Sequence, residues 1–204
     1  VLSRRQRQMC IRDRAYGLAV LEGQAEEAER LLNEQLNGAS NVDAARWLLR
    51  AAVQRVDDRL FDEMNGTNLD DVRTLLGRIK LPDEIGARSS ITVSMSLIQH
   101  TMALLTGDRE RADSLVEGLE SLSHPNDPIV LHARLKAELS FSPATEAGHR
   151  RMYDQAVAAQ PTLFHKAVVG LTFVEHLVRS GSDLALKVFE LSLIHISEPT
   201  RRKR

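Results

Sequence analysis

One cysteine, one tryptophan, two tyrosines and five phenylalanines are all that this chain of 204 residues carries of these types. A lone thiol excludes an internal disulfide and a cysteine-ligated zinc site. Glycine numbers 11 and proline 6, and the glycines do not cluster into the loops that cradle phosphate or a dinucleotide. The nucleophile elbow of the hydrolases is missing as well. No apolar run approaches the roughly 18 residues that a membrane-crossing helix needs. The alternation of β-branched and aromatic residues that marks strands is scarce.

What the chain holds in quantity is Ala, Leu, Glu and Arg, residues that favour helices. Apolar residues recur at spacings of three and four between turn signals at Asn37-Gly38, Asn65-Gly66, Leu81-Pro82, Gly107-Asp108, His124-Pro125, Ser142-Pro143, Gln160-Pro161 and Gly181-Ser182. The fold class is therefore all-α. Over 25–36, Ala25, Ala28, Leu31, Leu32 and Leu36 share one face, and Glu26, Glu27, Arg30 and Glu34 take the other, so one stripe is buried. The next helix, over 41–64, carries Ala44, Trp47, Leu48, Ala51 and Val56 and is capped from Asn41 or Asp43. Trp47 reads there as a core residue. A shorter helix follows Asn68. The stretch SSITVSMSLIQHTMALLTGD opens with strand-favouring Ile91, Thr92 and Val93, but Met95, Leu97, Ile98, Met102, Leu104 and Leu105 fit a buried helix better. Further helices are expected over 109–122, 128–139, 143–159, 161–179 and 183–190. Paired amphipathic helices with short turns cannot bury their apolar faces singly, and such pairs stack into a solenoid of helical hairpins.

Within the pairs a glycine is followed five residues later by an alanine. LEGQAEEA supplies Gly23 and Ala28, and LLTGDRERA supplies Gly107 and Ala112. Glycine can take the left-handed conformation at a helix end, and a small residue lets the two helices of a hairpin approach closely. MYDQAVAAQP adds Tyr153, Ala156 and Pro161, and the helix after it carries Gly170 and Phe173. These residues resemble the tetratricopeptide repeat, whose hairpins place Gly at the turn and Ala early in the second helix. The resemblance implies an α-solenoid of irregular repeats. Gly23 and Gly107 stand 84 residues apart, which is no multiple of the family's period of about 34. His149 stands where the register from Tyr153 calls for Ala, and Ala185 comes one position early after Gly181.

Both ends are basic. VLSRRQRQMCIRDR opens the chain and LSLIHISEPTRRKR closes it. Gln8 to Asp13 can be encoded CAG ATG TGT ATA AGA GAC, and the reverse complement of that DNA contains CTG TCT CTT ATA CAC ATC, which encodes Leu191 to Ile196. This shared word resembles the mosaic end of transposase-type sequencing adapters. Residues 1–14 and 191–204 are accordingly expected to be adapter-derived, with residues 15–190 the repeat region, truncated at both ends. The ends hold nine of the 27 basic residues and two of the 28 acidic ones. The middle keeps 18 basic against 26 acidic, a net of −8, and holds no cysteine. Acidity of that degree argues against a nucleic-acid partner and favours neutral or basic peptides.

Six histidines remain in the middle: His100, His124, His132, His149, His165 and His176. Metal or acid–base chemistry needs such residues to converge with carboxylates at ligand spacing. Glu146 and His149, at i and i+3, come nearest, and no second Glu-x-x-His supports them. No catalytic residue, cofactor or metal is expected, and the chain is not read as an enzyme. The repeat resemblance instead implies a non-catalytic scaffold that presents a groove to a protein or peptide, with Gln99, His100, Arg134, Lys136, His165 and Lys166 as the candidate contact residues. The alternative it implies is an accessory region of a larger enzyme, such as a bacterial envelope polysaccharide ligase or glycosyltransferase.

Overall fold

The computed structural model describes residues 15–20, 22–61, 69–81, 89–142 and 146–181. The expected adapter-derived ends, the helix over 183–190 and Ala185 lie outside the described residues. Among the described residues the chain is all-helical, with no strand. A short helical stretch over 15–20 is followed by α1 (Ala25–Leu36), α2 (Asn41–Phe61), α3 (Leu69–Gly77) and α4 (Ser90–Thr106). Then come α5 (Arg109–Leu122), α6 (Pro128–Phe141), α7 (Glu146–Ala159) and α8 (Leu163–Arg179). None of the described helices is long and apolar enough to cross a membrane.

The helices start where a side chain can satisfy their first free amides. Ser40 Oγ accepts from the Asp43 amide at 3.2 Å and donates to the Asp43 carboxylate at 3.0 Å. The cap of α2 is thus Ser40, one residue ahead of Asn41, because its hydroxyl reaches the third amide of the helix. Asp108 accepts from Arg111 at 3.0 Å, Asp127 from Ile129 at 2.9 Å with Pro128 in first position, and Thr162 from His165 at 3.3 Å. Strand propensity at Ile91, Thr92 and Val93 is overridden. Ser89 caps the turn by accepting from the Thr92 amide at 3.2 Å, and Ile91 and Ile98 are buried.

The helix ends use glycine. Gly23 and Gly107 have φ of 69° and 72°, the left-handed region where a side chain is strained. Each closes its helix with a matched pair of bonds. The Gln24 amide donates to Ala19 at 2.8 Å and the Gly23 amide to Val20 at 3.0 Å; the Asp108 amide donates to Ala103 at 2.9 Å and the Gly107 amide to Leu104 at 3.3 Å. This six-to-one and five-to-two pairing is the Schellman motif. Ala28 and Ala112, five residues on, are each 0 % exposed.

The chain divides into two compact units, Val1–Met102 and Ala103–Arg204, and the division falls inside α4. In the first, α2 packs against both α1 and α3. Ala28 and Leu32 of α1 are buried, as are Ala45, Leu48, Ala52 and Val56 of α2 and Val72, Leu75 and Leu76 of α3. Arg55 meets Asp71 at 2.7 Å between α2 and α3, and Arg78 reaches Glu29 of α1 at 3.3 Å.

In the second unit, α6 packs against α5, α7 and α8, and α7 against α8. Leu135, Ala156 and Val169 form its centre, and Phe173 and Leu177 extend it. Tyr153 stacks on Phe173 with ring centroids 4.6 Å apart. Full burial of a side chain of this size contributes about 1.5–3 kcal/mol. Buried Gln160 donates from Nε2 to the carbonyls of Ala156 and Pro128, each at 3.1 Å, so the α7–α8 turn is tied to the start of α6. Gly170 is buried beside these residues, while Pro161 is exposed at the turn.

Candidate functional site

In the first unit a groove of about 500 Å³ opens over the middle of α2. Its walls are the 15–20 stretch, α1 and the start of α4. Tyr16 and Leu32 line its buried side, and Leu31 and Gln35 come from α1. Arg46, Trp47, Arg50, Val53 and Gln54 come from α2, and Ser90, Ile91 and Ser94 from the first turns of α4. These elements meet because α2 is alanine-rich on its inner side: Ala51 and Ala52 are almost fully buried. Small side chains there leave the larger Trp47 and Arg50, three residues apart, together at the groove.

Trp47 is half-buried, and Arg50 holds its guanidinium carbon 5.3 Å from the indole centroid. That distance is within cation–π range. The expectation of a core tryptophan is therefore corrected. Leu48 and Ala51 take the buried positions of that stripe, and the indole lies on the groove wall. Arg46 lies 3.4 Å from Asp43 in an exposed pair. Gln54 lies against Gly17, where an added Cβ would stand 3.2 Å from its amide nitrogen. The 15–20 stretch is thereby held close on α2. Among the described residues the lining includes two arginines, two glutamines and two serines.

The candidate contact residues do not gather at this groove. Gln99 is half-buried on α4, and His100, next to it, is 1 % exposed. His100 is buried although it lies across α4 from Ile91 and Ile98, so this helix is covered on both sides there. In the second unit, Arg134 pairs with Glu120 of α5. His165 is engaged within its own first turn, where its Nδ1 is 2.6 Å from Thr162 Oγ1. Lys136 and Lys166 are half-buried on α6 and α8. These contacts draw Arg134 and His165 to different elements.

The second unit carries a histidine pair instead. His149, 5 % exposed, meets His176 edge to face with centroids 4.9 Å apart. His149 occupies the position where the repeat pattern calls for Ala, and the imidazole fills that space against the second ring. Burial, reinforced by the neighbouring His149 imidazole, holds His176 below the ordinary histidine range, while its hydrogen bond to the Leu139 backbone works the other way. Among the described residues no three His, Cys, Asp or Glu groups converge as metal ligands. The Glu146 side chain lies outside the described residues. On α8, Phe164 is 73 % exposed, and Leu171 and Val178 are exposed on the same helix.

The groove was legible only in part. Trp47, Arg50 and Gln54 fall at i, i+3 and i+7, a helical face. That signal was masked by the apolar stripe that runs beside it. The contributions of Tyr16, Ser90 and Ser94 come from distant parts of the sequence and leave no local mark. No family model matches the chain, and neither a curated protein nor a solved structure matches it.

Proposed function

We propose that the chain is a non-catalytic helical-repeat scaffold of tetratricopeptide-like type that binds a protein through a peptide segment. The observation that carries this reading is the half-buried Trp47 on the wall of an open groove, with Arg50 over its ring. Trp, Tyr and Arg are the residues that most often anchor protein interfaces, and all three types line this groove. A volume of about 500 Å³ falls within the range of about 300–1,000 Å³ common to ligand sites. It has room for a few side chains of a partner and not for a folded domain. The recurrence of the Gly-turn and Ala hairpin at Gly23 and Gly107 supports the repeat architecture.

The chain's only tryptophan lines the groove, so its fluorescence reports occupancy directly. Selection of a displayed random-peptide library on the folded chain should recover peptides that shift Trp47 emission saturably. Recovery of none that saturates would remove the proposal.

A further inference from the structure

We infer that the 15–20 stretch is a movable wall of the Trp47 groove: seated on α2 it closes one side, and released it lengthens the groove along α2 toward Gln54 and Arg55. The inference concerns the free chain and holds or fails independently of what the groove binds. The hold on α2 rests mainly on two side chains. Tyr16 is 7 % exposed and lines the groove, and Ala19 is 4 % exposed. Ala15 and Val20 are half-buried, and Leu18 is exposed. Gly17 offers α2 no side chain, and a Cβ there would stand 3.2 Å from the Gln54 amide nitrogen. The fully buried apolar contact is thus little more than one aromatic ring and one methyl group.

The seat of Tyr16 is polar and incompletely satisfied. Its phenol lies beside Arg55, whose guanidinium pairs with Asp71 at 2.7 Å between α2 and α3. Burial works against the Arg55 charge, while the Tyr16 phenol and the Asp71 and Glu29 carboxylates hold its pKa above the ordinary arginine value. Near as they are, neither Tyr16 Oη nor Arg55 Nε makes a hydrogen bond among the described residues, and both atoms are buried. A buried polar atom without a partner carries a desolvation cost that vanishes when it meets water. Seating the stretch therefore sets the burial of one ring against two dry polar atoms, and these opposing effects are of similar size. The stretch is helical over only six described residues, too few for a helix to persist alone, so release also melts it. The Glu22 and Gln24 amides donate to Leu18 at 2.9 Å and to Ala19 at 2.8 Å. Those two amides are freed when the stretch leaves α2.

The test follows residue-resolved hydrogen exchange of the full chain in low urea, together with acrylamide quenching of Trp47, its only tryptophan. Glu22 and Gln24 should exchange about tenfold or more faster than amides in the middle of α2. Their exchange should depend little on urea, because a local opening exposes little surface. Y16A removes the ring and should speed exchange at both amides by about tenfold or more. It should also make Trp47 more easily quenched, with exchange in α2 unchanged. Y16F keeps the ring and removes one dry polar atom, so exchange at Glu22 and Gln24 should slow several-fold. Exchange at these amides with the rate and urea dependence of α2 would make the stretch part of the core and overturn the inference. Faster exchange in Y16F would show that the phenol gains more from Arg55 than it loses by burial, and would overturn it as well. Unchanged Trp47 quenching in a Y16A chain whose Glu22 and Gln24 exchange faster would show that the stretch moves without walling the groove, again against the inference.

Discussion

The turn at Gly23, in the first unit, and the turn at Gly107, in the second, close on the same backbone bonds, yet only one of the helices they start is capped by a side chain. Both glycines sit near φ of 70°, both make the paired Schellman bonds, and both precede a fully buried alanine. At the next residue they part. Asp108 accepts from the Arg111 amide, whereas Gln24 makes no side-chain cap. Each turn is thus specified by the glycine that lets the chain leave the helix, and in both the alanine five residues on is fully buried. The cap adds to a geometry already set.

That comparison can be broken most severely at the alanines. Ala28→Leu and Ala112→Leu each insert bulk where the side chain is 0 % exposed, and overpacking of this kind typically costs about 1–3 kcal/mol. Urea unfolding followed by circular dichroism should show similar losses for the two. A much smaller loss at either site would show that the two buried alanines are not equivalent.

Next come the glycines. An added Cβ at Gly23 or Gly107 would meet nothing within 4 Å, so the cost of Gly→Ala lies wholly in the left-handed backbone. It should be about 1–2 kcal/mol at each. Equal shifts in the urea midpoint would confirm that backbone conformation, and not crowding, selects glycine there.

A smaller effect should sharpen the difference. Asp108→Ala removes the side-chain cap and should lower stability by about 1 kcal/mol. Gln24→Asp should raise it by a similar or smaller amount, since it supplies the acceptor that the first hairpin lacks. If Gln24→Asp gave no gain, the uncapped amides of α1 would have to be satisfied in some other way.

The smallest expected effect is a pH dependence that the His149–His176 pair confers on the second unit. His176 is held below the ordinary histidine value of about 6.5. Between the two values the unfolded chain binds a proton that the folded chain does not. The contribution is complete above about pH 6.5 and is lost as pH falls through the folded value. His176→Phe should reduce the drop in urea midpoint between neutral pH and about pH 5. An undiminished drop would assign it to carboxylates alone.

The helical elements could be read along the chain almost residue by residue. The spans 25–36 and 109–122 coincide with α1 and α5, because apolar spacing and a terminal turn are local properties. Ala156, Gly170 and Phe173 are buried where the repeat pattern places small and aromatic residues. The contact surface could not be read in the same way. His100 sits on a helix whose hydrophobicity is spread around its circumference, so nothing local says that it faces inward. Trp47 adjoins a buried stripe, so nothing local says that it faces the groove.

By itself, then, the sequence determined that the protein is built of short-turned helices, where glycine must turn the chain, and which alanines must be small. Those outcomes depend on φ, ψ and periodicity, which act over a few residues. Only the tertiary structure decided that Tyr16, Leu31, Trp47 and Ser94 share one groove, and that His100 is buried. Which residues meet is not a local property, because residues far apart in sequence meet only through packing.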